Sequence, residues 1–160
     1  QAVQQVGGAY WIFRTSWVYS TRRDSFVSKV LQWSRQQETL RLVDDQVSSP
    51  TWCRALAEAS AQALARALPD VTHWMQERQG LYHLAGSGYA SRLAWGQTIL
   101  RLDPHPEEQR VRQVLPAKTA EFPTPARRPL FSALECGLFE RTFDIRLPDW
   151  EAALRLAMQA

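Results

Sequence analysis

Several things are scarce or missing in this sequence. None of its uncharged apolar runs approaches the ~20 residues needed to cross a bilayer, which argues against a membrane-spanning helix. The opening stretch QAVQQVGG has neither the basic nor the apolar region of a signal peptide, so a cytoplasmic protein is expected. No initiator Met stands at position 1, which reads as a fragment of a longer polypeptide or a trimmed chain. Cysteine is nearly absent. Cys53 and Cys136 lie far apart without Cys-x-x-Cys spacing, and two reduced, half-buried thiols are the expectation. His73, His83 and His105 show no metal-ligand spacing, and none pairs with a Ser or Cys in a recognisable triad. Almost all the cations are arginine. The net charge of +3 is spread over single or paired residues, as in TRRD and ARRP, with no basic run and no aromatic-interleaved strand motif. A nucleic-acid partner is therefore not expected. A site for one or two phosphates stays open, because arginine forks match phosphate geometry.

What is present is ordinary globular material, 45% hydrophobic and 22% charged, enough for one domain or parts of two sharing an interface. Residues 1–6 read as the tail of a helix stopped by Gly7-Gly8. WIFRTSWVYS then reads as one strand over 11–19, apolar at its start and polar and aromatic at its end. Phe26, Val27, Val30, Leu31 and Ser34 share one helical face behind a cap at Asp24 or Ser25. TLRLVDD predicts a short strand, DQVSSPT a loop, and a helix follows whose predicted stripe is Cys53, Leu56, Ala57, Ser60, Leu64 and Leu68, with Thr51 as its cap. GLYHLAGSG predicts a strand and glycine turn, followed by a helix from Ser91 that presents Trp95, Ile99 and Leu102. DPHPEEQRV reads as exposed loop, RQVLPAK as one more short strand, and the proline-rich EFPTPARRP as irregular. A last pair of helices closes the chain, the final one carrying Trp150, Ala153, Leu154, Ala157 and Met158 on one face. Strands alternating with helices predict an α/β fold with parallel strands.

On residue chemistry alone the candidate site residues stay open between two roles. Trp17 stands at the end of its strand, where an indole can offer an apolar face to a sugar and one N–H donor, yet a core anchor is the commoner fate of such a residue. Arg128, or Arg127 beside it, is either a phosphate fork stiffened by flanking prolines or a surface arginine. Gln46 could read a base or sugar edge with its amide. Thr51 serves as a plain helix cap, and Pro50 stiffens the loop. Asp44 and Asp45 point to opposite faces as strand neighbours, which favours a solvated turn over a shared metal. The Gly-Ser-Gly at 86–88 reads as a tight turn rather than a phosphate nest.

FRTSWVY, VDDQVSSPTW, the LAEA helix, GLYHLAGSG, PTPARRP and FDIRLPDWEAAL follow one another in order. The set resembles the C-terminal half of the dTDP-4-dehydrorhamnose reductases, a family of extended short-chain dehydrogenase/reductases, over essentially the whole chain. That resemblance implies an NADPH- or NADH-bearing Rossmann-type domain and a smaller domain gripping the sugar nucleotide, with the chain passing between them. Residues 1–68, including a substrate loop at 44–51, would complete the Rossmann-type part, and 69–160 the substrate domain. The strand at 11–19 would have its missing neighbours upstream, and its open edge invites a homodimer. The resemblance also turns Trp17, Arg128, Gln46 and Thr51 into expected contacts of a dTDP-sugar. Two family features are missing: the Gly-x-x-Gly-x-x-Gly fingerprint and the catalytic Tyr-x-x-x-Lys. Tyr10, Tyr19, Tyr82 and Tyr89 are followed four places on by Arg14, Arg23, Gly86 and Leu93. The chain alone is thus expected to hold no cofactor and to reduce nothing, while its parent reduces dTDP-4-dehydro-L-rhamnose to dTDP-L-rhamnose. Two further readings share the scaffold: another sugar-nucleotide dehydratase or epimerase, and a non-catalytic regulatory subunit.

Overall fold

A computed structural model describes residues 2–68 and 70–160. Its strands form four short pairs, three parallel and one antiparallel, with helices packed on them. This is the α/β organisation that the alternating sequence pattern predicts. Helix α1 (Ala2–Val6) ends at Gly7 and Gly8, both with left-handed backbone (φ 81° and 85°), as the double glycine requires. Gln1 lies outside the described residues.

Strand β1 (Trp11–Arg14) pairs in parallel with β6 (Gly80–His83), Phe13 lying opposite Tyr82. Among the described residues β1 has this partner on one side only. The predicted strand over 11–19 is not continuous. Trp17 adopts a left-handed φ of 37°, which turns the backbone, and β2 (Val18–Tyr19) pairs with β5 (Thr51–Trp52) instead of β6. Helix α2 (Phe26–Gln36) is capped at Ser25, whose hydroxyl accepts from the Ser28 N–H while the Ser28 hydroxyl accepts from the Ser25 N–H at 2.9 Å. Strand β3 (Thr39–Val43) pairs in parallel with β8 (Gln113–Ala117), both read from the sequence. Strand β4 (Val47–Ser48) pairs antiparallel with β7 (Ala90–Ser91), and Val47 also bridges to Phe131, tying the proline-rich segment down.

Helix α3 (Cys53–Ala67) departs from expectation in two ways. Its N-cap is Trp52, which makes no side-chain cap bond, while the Thr51 hydroxyl is engaged by the Ser49 carbonyl and the Gly86 N–H instead of the helix. Its buried face is Ala59, Ala63 and Ala67, while Leu64 and Leu68 are 50% and 72% exposed. Tyr82, Phe139 and Phe143 fill the space beneath the helix, so the small side chains of Ala59 and Ala63 face them, with Leu56 packed at the edge of the cluster. Helix α4 (Val71–Glu77), capped by Asp70, was not legible in the sequence. Helices α5 (Arg92–Arg101), α6 (Gly137–Phe143) and α7 (Trp150–Gln159) match the predicted ones, α5 and α7 being capped by Ser91 and Asp149. The DPHPEEQRV segment is more than exposed loop: it carries a single 3₁₀ turn (Pro106–Glu108), and Asp103 at its start is buried and held by Arg35 at 3.0 Å.

Two hydrophobic clusters result. One gathers Tyr19, Val27, Val30, Trp95, Ile99 and Leu154; the other Ala59, Ala63, Tyr82, Phe139, Phe143 and Ile145. Each draws on residues from both sides of position 68, because the chain passes back and forth between them. No described helix is long and apolar enough to cross a membrane.

Candidate functional site

The backbone bends at Trp17, three residues past the carboxyl end of β1, and that bend sets its indole. Its carbonyl accepts the Thr51 N–H at 3.2 Å, which locks the turn to the 44–51 loop. The ring is half-buried. It stacks on Trp95 at 5.5 Å with planes 16° apart, and the Arg92 guanidinium lies 4.3 Å from its centroid and 5.0 Å from that of Phe26. Beside this stack opens a cleft of about 300 Å³ lined by Trp17, Val18, Phe26, Lys29, Arg92 and Trp95. An apolar floor with a few donors at its edge suits a sugar ring.

A larger cleft of about 670 Å³ lies between the Asp45–Thr119 contact and the proline-rich segment, with Arg127 and Arg128 in its wall. Gln46 joins the two. Its side-chain amide donates to the Thr119 hydroxyl at 3.1 Å, and its carbonyl oxygen accepts from Arg92 Nε at 3.2 Å. Thr119 in turn donates through hydroxyl and backbone N–H to Asp45, at 2.6 and 3.0 Å. Those bonds, the hydroxyl's foremost, hold the Asp45 carboxyl below its ordinary range. Asp44 instead pairs with Lys118 at 2.8 Å. Both aspartates lie beyond the end of β3, where strand alternation no longer applies, and both anchor the 118–121 turn where a solvated turn was expected.

The electrostatics of this seam are one-sided. Among the described residues no carboxylate lies within ion-pair distance of Arg92, Arg127 or Arg128, whereas most other arginines have one. Burial first, and then the charge of Arg128, push Arg92 below the ordinary arginine value. Arg92 also occupies the first position of α5, where the helix dipole opposes a cation.

The expected site residues thus separate. Trp17 faces one cleft, Arg128 lines the other, and Gln46, 8% exposed, connects them. Thr51 does neither. It is fully buried, its hydroxyl donating to the Ser49 carbonyl at 3.1 Å and accepting the Gly86 N–H at 3.0 Å, so it supports the loop from behind. Pro50 is buried as the stiffener expected of it. Arg92 escaped the sequence reading, although an arginine directly after the N-cap of a helix was a usable signal. Cys53 and Cys136 are free and half-buried, as expected.

A dinucleotide would need a glycine cradle, and the Gly86–Gly88 turn does not form one. A Cβ on Gly86 would sit far inside the 3.0 Å that real Cβ atoms keep, against the Pro50 carbonyl, and Gly88 (φ 82°) is backed by Asp149 and Trp150. The turn is closed by protein, and these residues do not fit a cofactor phosphate.

A family profile described as the RmlD substrate binding domain matches residues 1–160. The chain belongs to that family. It is 34% identical to the dTDP-4-dehydrorhamnose reductase of Burkholderia thailandensis over 167 residues, covering 99% of this chain and 54% of that protein. Among solved structures, the dTDP-4-dehydrorhamnose reductase of Clostridium acetobutylicum superposes with a TM-score of 0.75 at 28% identity, over 94% of this chain and 48% of that one. The Bacillus anthracis dTDP-4-dehydrorhamnose reductase, solved in complex with NADP, gives 0.77 at 25% identity, over 98% and 50%. The RmlD-type chain therefore spans about half the length of the relatives it matches.

Proposed function

We propose that this chain is the substrate-gripping part of a cytoplasmic, NADPH- or NADH-dependent reductase that converts dTDP-4-dehydro-L-rhamnose to dTDP-L-rhamnose. The observation that carries the reading is the pair of clefts joined through Gln46, one floored by Trp17 and the other walled by Arg128. In this reading the sugar lies beside Trp17 and the nucleotide enters the cleft of Arg127 and Arg128. The hydride would come from the cofactor to the sugar C4, and the proton from a Tyr hydroxyl assisted by Lys, all three outside this chain. The chain's own contribution is positioning: it fixes the ketone against groups it does not itself carry. The second hydrophobic cluster, with β1 and β6, would complete the Rossmann-type part, and the first cluster would form the substrate module. Residues 1–68 and 69–160 would each contribute segments to both parts. The free edge of β1 is where the remaining strands of that sheet belong, and without them it would pair with a second copy.

Calorimetric titration tests the reading. dTDP should bind the chain weakly and the Arg128→Leu variant more weakly still, while NADPH should give no heat. Tight NADPH binding, or no difference between the variant and the parent sequence toward dTDP, would overturn it.

A further inference from the structure

We infer that Arg92, acting with Arg128, recognises the diphosphate of the sugar nucleotide. The inference rests on the reading above and adds a residue to it. Four observations converge on this guanidinium. Its side chain is half-buried in a cleft wall, and no carboxylate pairs with it among the described residues. Among the described residues only the donor on Nε, of its five N–H donors, is engaged, by the Gln46 carbonyl oxygen at 3.2 Å, so the four on the terminal nitrogens remain for a ligand. It is held in place by that bond and by the rings of Trp17 and Phe26 at 4.3 and 5.0 Å. Finally, Gln46 leads from Arg92 to Thr119, which lines the larger cleft together with Arg128.

A lone cation kept in such a place costs free energy in the empty protein. Its charge is partly stripped of water, faces another guanidinium and lies against the positive end of α5. An anion carrying two charges relieves all three terms at once, and a diphosphate has the width to meet two forks. The seam between the clefts is also where a diphosphate must lie if the sugar rests beside Trp17 and the nucleoside beside the proline-rich segment. Arg92 covers part of the Trp17 ring, so the sugar would meet the indole and the arginine stem as one surface.

The intact chain and its Arg92→Leu and Arg92→Lys variants should be titrated with dTDP, dTMP and thymidine, following tryptophan fluorescence and heat. Loss of one charge-assisted contact should weaken dTDP binding roughly ten- to a hundredfold in the leucine variant. dTMP should lose less and thymidine little, and lysine should restore only part of the loss because it presents a point charge without a fork. If dTDP binds the parent sequence and both variants alike, the role of Arg92 falls while the proposed function stands. If dTDP fails to bind the parent sequence at all, both fall. A leucine variant that loses its far-UV dichroism is replaced by the lysine one, where an unchanged preference for dTDP over dTMP would also overturn the inference.

Discussion

Thr51→Val separates a ligand contact from a support, the two roles open to this residue. Thr51 is fully buried, and its hydroxyl closes two bonds: the Gly86 N–H donates to it at 3.0 Å, and it donates to the Ser49 carbonyl at 3.1 Å. Valine keeps the shape and removes the oxygen. The Gly86 N–H is then left without a partner where water cannot enter, at a cost of about 1–3 kcal/mol. The Ser49 carbonyl suffers less, since an oxygen with two lone pairs tolerates the loss better than an orphaned donor. Taking about 2 kcal/mol, and the scaling for a chain of this size, the melting temperature should fall by about 4–8 °C. Thr51→Ser retains the oxygen and leaves a methyl-sized void, worth about 1 kcal/mol, so serine should melt above valine. Differential scanning calorimetry of the three proteins measures the order. Amide exchange at Gly86 should accelerate in the valine variant alone. Affinity for dTDP should change by less than about twofold, since the hydroxyl reaches neither cleft. A valine variant that melts with the parent sequence, or one that loses dTDP without losing stability, refutes the supporting role.

Two other perturbations address the scaffold. Asp103 is buried with its side chain at 0% exposure; burial pushes its pKa up, but bonds from Arg35, the His105 N–H and Gln109 more than offset this and hold it below the usual carboxylate range. A depressed folded value means stability that is fully present above the unfolded value of about 4 and is lost as pH falls through the folded one. Asp103→Asn should therefore cost about 2 kcal/mol at neutral pH, less than a fully buried pair because Arg35 keeps Glu108 at 2.7 Å. In urea titrations the gap from the parent sequence should hold from neutrality to mild acid and close below pH about 4; a gap that widens there contradicts the assignment. Gly86→Ala drives a methyl into the Pro50 carbonyl, a backbone atom that cannot rotate away. It should destabilise the chain by about 1–3 kcal/mol and, by displacing the 44–51 loop that carries Gln46, weaken dTDP binding; unchanged melting and binding would show that the turn is looser than its contacts imply.

Local signals carried most of the elements. Ser25, Ser91 and Asp149 mark their helices because a short polar side chain before an apolar period satisfies a free backbone N–H, whatever the rest of the chain does. The Leu40–Leu42 alternation in β3 and the double glycine after α1 are equally local. The ordered motif blocks pointed to the RmlD family, and they drew Trp17, Gln46 and Arg128 into one expectation. Where choice depended on neighbours far along the chain, the sequence was silent or misleading. The bend at Trp17 goes with a change of partner from β6 to β5, and nothing within residues 11–19 encodes that partner. Helix α3 turned its alanines inward because aromatics from β6 and α6 had already taken the volume.

Residue type by itself determined what kinds of contact this protein can offer: arginine forks that match phosphate geometry and an indole with an apolar face and one N–H donor. Tertiary structure alone decided which of those groups meet. It withdrew Thr51 into the support of the loop and placed Arg92 against Trp17, and it linked the two clefts through Gln46. The physical reason is range. Caps, turns and amphipathic periods are settled within a few residues, whereas a site is a meeting of side chains far apart in the chain, as Trp17 and Arg128 are, fixed only when the core beneath them closes.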